Sequence, residues 1–125
     1  MQKADRTDET TTVDLGRRGE MLAERALKRA GMRLLARNYR AGHYEIDRIF
    51  RERRTGFIVF VEVKARSGTA YGLAREAVTP RKQRFLRQAA ERYLFENDLL
   101  GALCRFDVVE VDLKDGRIER IENAF

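Results

Sequence analysis

Two charged residues stand at the end of a segment that otherwise predicts a buried strand. Glu62 and Lys64 follow directly on the apolar run at residues 57–61. Residues two apart in a strand point to the same side, so these side chains project together. Burying either charge alone would be costly. The pair therefore belongs to a site, or the strand has left the core and both charges meet water.

Asp47 strengthens the first interpretation. It lies on the preceding predicted strand, and a short turn at residues 54–56 separates that strand from the one that carries Glu62. Antiparallel pairing across the turn would bring the two carboxylates together. Two carboxylates and a lysine suit Mg²⁺ or Mn²⁺, because such ions take oxygen ligands and leave positions open for phosphate. The alternative is a structural salt-bridge network of Asp47, Glu62 and Lys64.

Apolar periodicity predicts the elements that hold these residues. A stripe at helical spacing predicts a first helix over residues 15–30, capped by Asp14 and ended by Gly31. Thr79 and Pro80 mark the start of a second helix that reaches about Asn97. The strands are predicted at residues 32–39, 44–53, 57–64, 105–113 and 117–121, with a loop at 67–79.

The order α-β-β-β-α-β-β predicts an α/β fold with a mixed central sheet of about five strands, flanked by helices. Residues 14–125 are expected to form one domain, and the polar residues 1–13 a disordered N-terminal arm. No apolar run has the length of a membrane helix or of a signal-peptide core, which predicts a cytoplasmic protein. Cys104 has no cysteine partner and is expected to be buried.

The positive charge is concentrated in one part of the chain. Net charge is +6, and residues 17–54 contain twelve Lys or Arg against five Asp or Glu, a surplus of seven. A basic surface attracts polyphosphate backbones, and arginine suits phosphate geometry. Charge alone leaves two alternatives: a surface that is merely soluble, and a face that meets an acidic protein.

Several stretches of charged, polar and small residues follow one another in a specific order: Gly16-Arg17-Arg18-Gly19-Glu20, Arg37-Asn38-Tyr39-Arg40, Glu45-Ile46-Asp47, Phe60-Val61-Glu62-Val63-Lys64-Ala65-Arg66, Lys82-Gln83, Arg105-Phe106-Asp107-Val108-Val109 and Asn123-Ala124-Phe125. In this order they resemble the YraN-like (UPF0102) family of uncharacterised bacterial proteins, relatives of the archaeal Holliday-junction resolvases in the PD-(D/E)XK nuclease superfamily. The resemblance runs from about Leu15 to the C-terminus and implies a restriction-endonuclease-like core.

The resemblance also implies roles for individual residues. Asp47 and Glu62 match the metal-binding acids, and Lys64 matches the catalytic lysine. Glu20 matches the additional acid of the resolvase-like branch, although an acid that stabilises the first helical turn explains it equally well. Gln83 resembles a glutamine near the active site of related nucleases, and its alternative is an ordinary polar residue at a helix start.

Two positions depart from the family pattern. Tyr44 stands where the family usually has glycine, and Arg48 stands where it usually has leucine. Neither change removes a proposed ligand. Arg48 is expected to contact phosphate or simply to be exposed.

The expected activity is that of a Mg²⁺- or Mn²⁺-dependent phosphodiesterase acting on DNA, branched or processed structures included. The main alternative is a non-catalytic nucleic-acid-binding module with the same fold. A homodimer is also expected, because resolvase relatives act on symmetric junctions. The metal ligands would be Asp47, Glu62, Glu20 and the main-chain carbonyl of Val63, and the nucleic-acid backbone would contact Arg17, Arg18, Arg40, Arg48, Arg66 and Lys82.

Overall fold

A mixed five-stranded sheet is the centre of the computed structural model, which describes residues 3–66 and 78–125, with side chains from residue 14 onward. The elements are α1 (Lys3–Arg29), β1 (Met32–Ala41), β2 (Tyr44–Glu52), β3 (Ile58–Arg66), α2 (Pro80–Glu96), β4 (Cys104–Asp112) and β5 (Ile118–Ile121). The strands lie side by side in chain order, with β3 and β4 parallel and the other neighbours antiparallel. The predicted element order and mixed sheet are confirmed. Most of the predicted loop at 67–79 lies outside the described residues.

The two helices cover opposite faces of the sheet. Ala23 and Leu27 of α1 pack in a core cluster with Val59 and Val61. On the other face, Leu86 of α2 packs in a second cluster that contains Ile58 and Phe60. Strand β3 is therefore apolar on both sides, as a central strand between two helices requires.

Helix α1 approaches the end of β3 closely at Gly19. A Cβ atom built on Gly19 would lie 2.7 Å from the Cβ of Ala65, a distance that side chains do not tolerate. The missing side chain thus lets α1 pack directly against the part of β3 that follows Glu62 and Lys64.

The predicted ends of the helices are confirmed at three of four positions. Thr79 is the N-cap of α2, with its side chain accepting a hydrogen bond from the Lys82 amide, and Asn97 is the C-cap. Gly31 follows α1 with a φ of 92°, a conformation that glycine adopts easily. No helix in the described part of the chain combines the length and apolar character needed to cross a membrane.

Two local predictions are wrong. Helix α1 begins at Lys3 rather than near Leu15, so Asp14 lies inside the helix and does not cap it. Residues 3–13 carry almost no apolar residue, so periodicity gave no signal there. Cys104 is exposed, because it is the first residue of β4 and precedes the buried part of that strand. The division into an arm at 1–13 and a domain at 14–125 stays a prediction.

Candidate active site

The register of β2 and β3 brings Asp47 beside Glu62. The antiparallel pairs run from Arg51 with Ile58 to Arg48 with Val61, and the next step along both strands reaches Asp47 and Glu62. The Oδ2 atom of Asp47 accepts a hydrogen bond of 2.8 Å from the main-chain N–H of Val63. The hairpin pairing that we predicted from the turn is therefore confirmed.

The hairpin of β1 and β2 departs from regular alternation beside Asp47. Ile46 and Ile49 both belong to the core cluster on the α2 side, although strict alternation places residues three apart on opposite faces. On β1, Asn38 lies between the paired residues Arg37 and Tyr39 and has a φ of 50°. Local breaks of this kind are common next to functional sites. Asp47 and Arg48, as neighbours on a strand, point to opposite sides of the sheet.

Two lysines approach the carboxylate of Glu62, which is only 7% exposed. The Nζ atom of Lys64, two residues along β3, lies 3.6 Å from Glu62 Oε2. The Nζ atom of Lys82, from the first turn of α2, lies 2.5 Å from the same oxygen. We call Asp47, Glu62, Lys64 and Lys82 the candidate centre. Sequence reasoning had assigned Lys82 only to the nucleic-acid backbone.

The electrostatics of the candidate centre are unfavourable to charge on Asp47. Burial, followed by the neighbouring charge of Glu62, raises the pKa of Asp47 to about 8, against the effect of its hydrogen bond from Val63. Burial also lowers the pKa of Lys64. Burial acts in the same direction on Lys82, but its hydrogen bond to Glu62 and the charge of Glu62 outweigh it and raise the pKa of Lys82. The charged form of Asp47 is therefore disfavoured in this arrangement.

The position of Arg48 contradicts the expectation that this residue is exposed or contacts phosphate. Its side chain is 3% exposed, and its Nε donates to Glu24 Oε1 at 2.8 Å. Its Nη1 donates to Glu20 Oε1 at 3.2 Å and to the main-chain oxygen of Asp47 at 2.8 Å. Arg48 is thus neither exposed nor available to a phosphate, because two acids of α1 engage it below the surface.

Glu24 is an ionised buried residue that sequence reasoning missed. It is 2% exposed and accepts two hydrogen bonds of 2.8 Å from Arg37, in addition to the one from Arg48. Lys28 Nζ lies 2.9 Å from its Oε2 atom. The hydrogen bond from Arg37 is the main reason that the pKa of Glu24 falls to about 2. We call Glu24, Lys28, Arg37 and Arg48 the Glu24 cluster.

Glu20 lies between the candidate centre and the Glu24 cluster. Its Oε1 atom accepts hydrogen bonds of 3.2 Å from both Arg48 and Asn38. Its charge raises the pKa of Asp47 less than burial and Glu62 do. Within the ranges that the structure describes, however, no three His, Cys, Asp or Glu residues are grouped closely enough to hold a metal ion.

The other residues that the sequence predicted for the site differ in their exposure and in their contacts. The Gln83 side chain donates to the Val78 carbonyl at 3.0 Å, which fits a polar residue bracing a helix start. Val63 contributes its N–H to Asp47, and a role for its carbonyl stays a prediction. Arg17 and Arg18 are exposed on α1, Arg40 is exposed and 3.3 Å from Glu45, and Arg66 lies 2.6 Å from Glu110.

A pocket of about 280 Å³ opens between α1 and the end of β3. Gly16, Lys64, Ala65 and Arg66 are among its lining residues. Among the described residues, no atom outside the neighbouring backbone lies within 4 Å of a Cβ built on Gly16, so the described chain leaves space on this side of the pocket.

The donor set fits Mg²⁺ or Mn²⁺ better than zinc. Asp47 and Glu62 offer two adjacent carboxylates, and Mg²⁺ commonly uses one or two protein carboxylates together with water and phosphate oxygens. Zinc sites are usually completed by histidine or cysteine. His43 and Cys104, the only such residues in the chain, are both exposed and apart from this pair.

Comparison with known proteins identifies relatives across most of the chain. Residues 19–111 match the model of the uncharacterised protein family UPF0102. A UPF0102 protein of Pelotomaculum thermopropionicum is 44% identical over 115 residues, which cover 89% of this chain and 94% of the relative. One from Desulfosudis oleivorans is 46% identical over 110 residues, 88% of each chain. One from Mycolicibacterium smegmatis is 44% identical over 101 residues, 81% of this chain and 82% of the relative.

Proposed function

We propose that this chain, which belongs to the uncharacterised protein family UPF0102, is a metal-dependent phosphodiesterase that cleaves DNA. The observation that carries the proposal is the contact between Asp47 and Glu62, together with the two lysines, Lys64 and Lys82, that approach Glu62. A half-buried acid beside a buried one is unfavourable without a cation, and groups with such perturbed pKa values concentrate at functional sites.

Each member of the candidate centre has a role that its position supports. Asp47 and Glu62 would hold Mg²⁺ or Mn²⁺, and such a metal polarises a phosphoryl oxygen and activates bound water. Lys64 lies 3.6 Å from Glu62 and lines the open pocket beside Gly16. It would orient the attacking water or neutralise charge that develops on the phosphate.

Lys82 has a second role that depends on the ligand state. It lies 2.5 Å from Glu62, closer than Lys64, and thus partly neutralises the acid pair. A metal ion held by Glu62 would release Lys82 from this contact. The freed ammonium group would then be available to a phosphate of the substrate, as the sequence analysis expected of Lys82.

Arginines on α1 and at the end of β3 supply the affinity for a polyanion. Arg17 and Arg18 lie on α1 within three residues of Gly19, the point where α1 meets β3. Arg66 lines the pocket together with Lys64. Contacts of this kind bind the backbone without reading sequence, so we expect recognition by charge and shape.

Cleavage of labelled DNA in Mg²⁺ or Mn²⁺ tests the proposal. The substrates are a four-way junction, a flap and a linear duplex, and the proteins compared are wild type, Asp47→Asn and Asp98→Asn. Asp98 is an exposed acid with a φ of 56°, which asparagine accommodates, so it is a matched control. Loss of cleavage in Asp47→Asn alone supports the proposal. Equal cleavage by Asp47→Asn and wild type excludes the assignment.

A second candidate function is a nucleic-acid-binding module without turnover. The observation that favours it is the position of Glu20, whose carboxylate is engaged by Arg48 and Asn38 rather than by the acid pair. On this account, Lys82 and Lys64 neutralise Glu62 permanently and the charged surface only binds DNA. DNA binding by wild type without cleavage of any substrate in either metal ion would favour this candidate.

A further inference from the structure

A groove between the β1–β2 turn and α2 lies apart from the candidate centre and has no role in the proposed chemistry. Its volume is about 310 Å³, within the range of pockets that bind small organic groups. Its lining includes Gly42, His43 and Tyr44 from the turn, and Phe85, Gln88 and Arg92 from α2.

Two aromatic rings form one part of the groove wall. Tyr44 and Phe85 are stacked, with centroids 4.1 Å apart and an interplanar angle of 9°. Both are only partly buried, unlike the other apolar residues on this face of α2, such as Leu86 and Ala89. The stack fixes the hairpin to the helix. The guanidinium group of Arg81 lies 5.7 Å from the centroid of the Phe85 ring, so Tyr44 is the ring that offers a face to the groove.

The start of α2 beside the groove is strongly basic. Arg81, Lys82, Arg84 and Arg87 lie in its first half, which contains no acid. Cations at a helix N-terminus oppose the helix dipole, so this arrangement does not stabilise the helix itself. Arg81 and Arg84 are exposed, and within the described ranges neither is in an ion pair. Charge complementarity therefore points to a polyanionic occupant.

The groove and the candidate centre are close along both elements that form them. Phe85 follows Lys82 by three residues on α2, and Lys82 contacts Glu62. Tyr44 precedes Asp47 by three residues on β2, about 10 Å along a strand. A nucleic-acid strand whose phosphate lies at the candidate centre would thus reach the groove with a nearby nucleotide.

We propose that the groove binds an unpaired nucleotide, with its base against Tyr44 and its backbone on Arg81 and Arg84. Bases in a duplex are stacked on one another and expose only their edges, whereas single strands offer their faces to aromatic side chains. The substrate class is therefore nucleic acid with a single-stranded segment beside the cleavage point. This inference rests on the proposed function for the position of the scissile phosphate.

Binding experiments without metal test the groove independently of cleavage. Full-length protein in a chelating buffer is titrated into a labelled single strand and into a blunt duplex of the same sequence, with fluorescence anisotropy as the readout. Tyr44→Ala should bind the single strand about tenfold more weakly, while duplex affinity changes less than about twofold. Tyr44→Phe keeps the ring and should bind like wild type. Phe95→Ala, an exposed aromatic on the same helix, is the control.

A second readout needs no variant and therefore does not depend on the folding of Tyr44→Ala. A single strand that contains 2-aminopurine should lose fluorescence on binding wild type, because stacking on an aromatic ring quenches this base. Absence of quenching at saturation, or equal losses of single-strand and duplex affinity in folded Tyr44→Ala, overturns the inference.

The two proposals fail in different ways. If Tyr44→Ala cleaves a blunt duplex and a flap as wild type does, the groove assignment fails and the phosphodiesterase stands. If Tyr44-dependent binding of single strands is found but no substrate is cleaved in Mg²⁺ or Mn²⁺, the groove assignment stands and the phosphodiesterase fails.

Discussion

The candidate centre and the Glu24 cluster lie on opposite sides of β2, yet they shift the pKa values of their acids in opposite directions. Asp47 belongs to the candidate centre, and its neighbour Arg48 belongs to the Glu24 cluster. The pKa of Asp47 rises to about 8, whereas the pKa of Glu24 falls to about 2. Burial raises the pKa of both carboxyl groups, so it does not explain why the two shifts have opposite directions.

The partners of each acid explain it. Glu24 is held by Arg37, Arg48 and Lys28, so its charge is fully compensated. Asp47 receives one main-chain hydrogen bond and faces a second carboxylate. A compensated acid fixes structure, because it holds α1 to β1 and β2. An uncompensated pair is a place where a cation can bind, which is why we assign function to the candidate centre.

Replacing Glu24 should have the largest effect on stability. Glu24→Gln leaves Arg48 in a site that is 3% exposed with a weaker set of acceptors. Loss of one partner from a buried ion pair typically costs about 3–5 kcal/mol. We expect a decrease near the lower value, because Glu20 still accepts from Arg48. Urea unfolding followed by circular dichroism measures it, and a loss below about 0.5 kcal/mol would refute the structural role.

Removing the Lys64 amine should affect the reaction and not the fold. Lys64→Met should slow DNA cleavage about 100-fold, within the usual range for a residue that stabilises developing charge. Lys82 still lies 2.5 Å from Glu62 in the variant, so the unfolding midpoint in urea should stay close to that of wild type. Single-turnover cleavage rates with saturating metal measure the effect. Cleavage at the wild-type rate would remove Lys64 from the chemistry.

The pH dependence of stability should differ between the two regions. A folded-state pKa raised from 3.8 to about 8 means that the folded state holds a proton on Asp47 that the unfolded chain has released. Stability from this group is present at low pH and is lost as pH rises towards 8. Between pH 5 and pH 8, the free energy of unfolding of metal-free Asp47→Asn should therefore rise relative to that of wild type by at least about 1 kcal/mol.

The stability contribution of Glu24 has the opposite dependence on pH. Its pKa of about 2 lies below its ordinary value of 4.5, so its contribution is present at neutral pH and is lost as pH falls through that range. Glu24→Gln should approach the stability of wild type as pH drops towards 2. Thermal unfolding of both variants across pH measures the two slopes, and parallel slopes would contradict the distinction between the regions.

The smallest expected effect on stability comes from an ion pair on the surface. Arg92 and Glu96 form an i,i+4 pair at 3.0 Å on α2, with both side chains exposed. Arg92→Ala should change the free energy of unfolding by less than about 0.5 kcal/mol, because exposed pairs contribute little. A change as large as that of Glu24→Gln would show that distance alone, and not burial, determines the strength of these pairs.

The sequence predicted most of the fold and the acid pair for definite reasons. Strand β3 is apolar on both faces, and Thr79 with Pro80 marks a helix start, so both were recognisable. The pairing of Asp47 with Glu62 followed from the turn between their strands. The contact of Lys82 with Glu62 was not predictable in this way, because it depends on how α2 packs on the sheet.

The Glu24 cluster shows more clearly what the sequence alone cannot predict. Glu24 is four residues from Glu20 and next to Ala23, so its position at the edge of the buried stripe was visible. Its partners Arg37 and Arg48 come from two other elements, so these contacts depend on how α1 packs against β1 and β2. A periodic pattern describes one element at a time and cannot reveal contacts between elements.

Isothermal titration of Mn²⁺ and Mg²⁺ into wild type, Asp47→Asn and Asp98→Asn tests the central claim most directly. The account predicts saturable binding by wild type and by the Asp98→Asn control, and its loss in Asp47→Asn. No binding by wild type, even with a non-cleavable DNA analogue present, would contradict it. In that case, the candidate centre is a salt-bridge network like the Glu24 cluster.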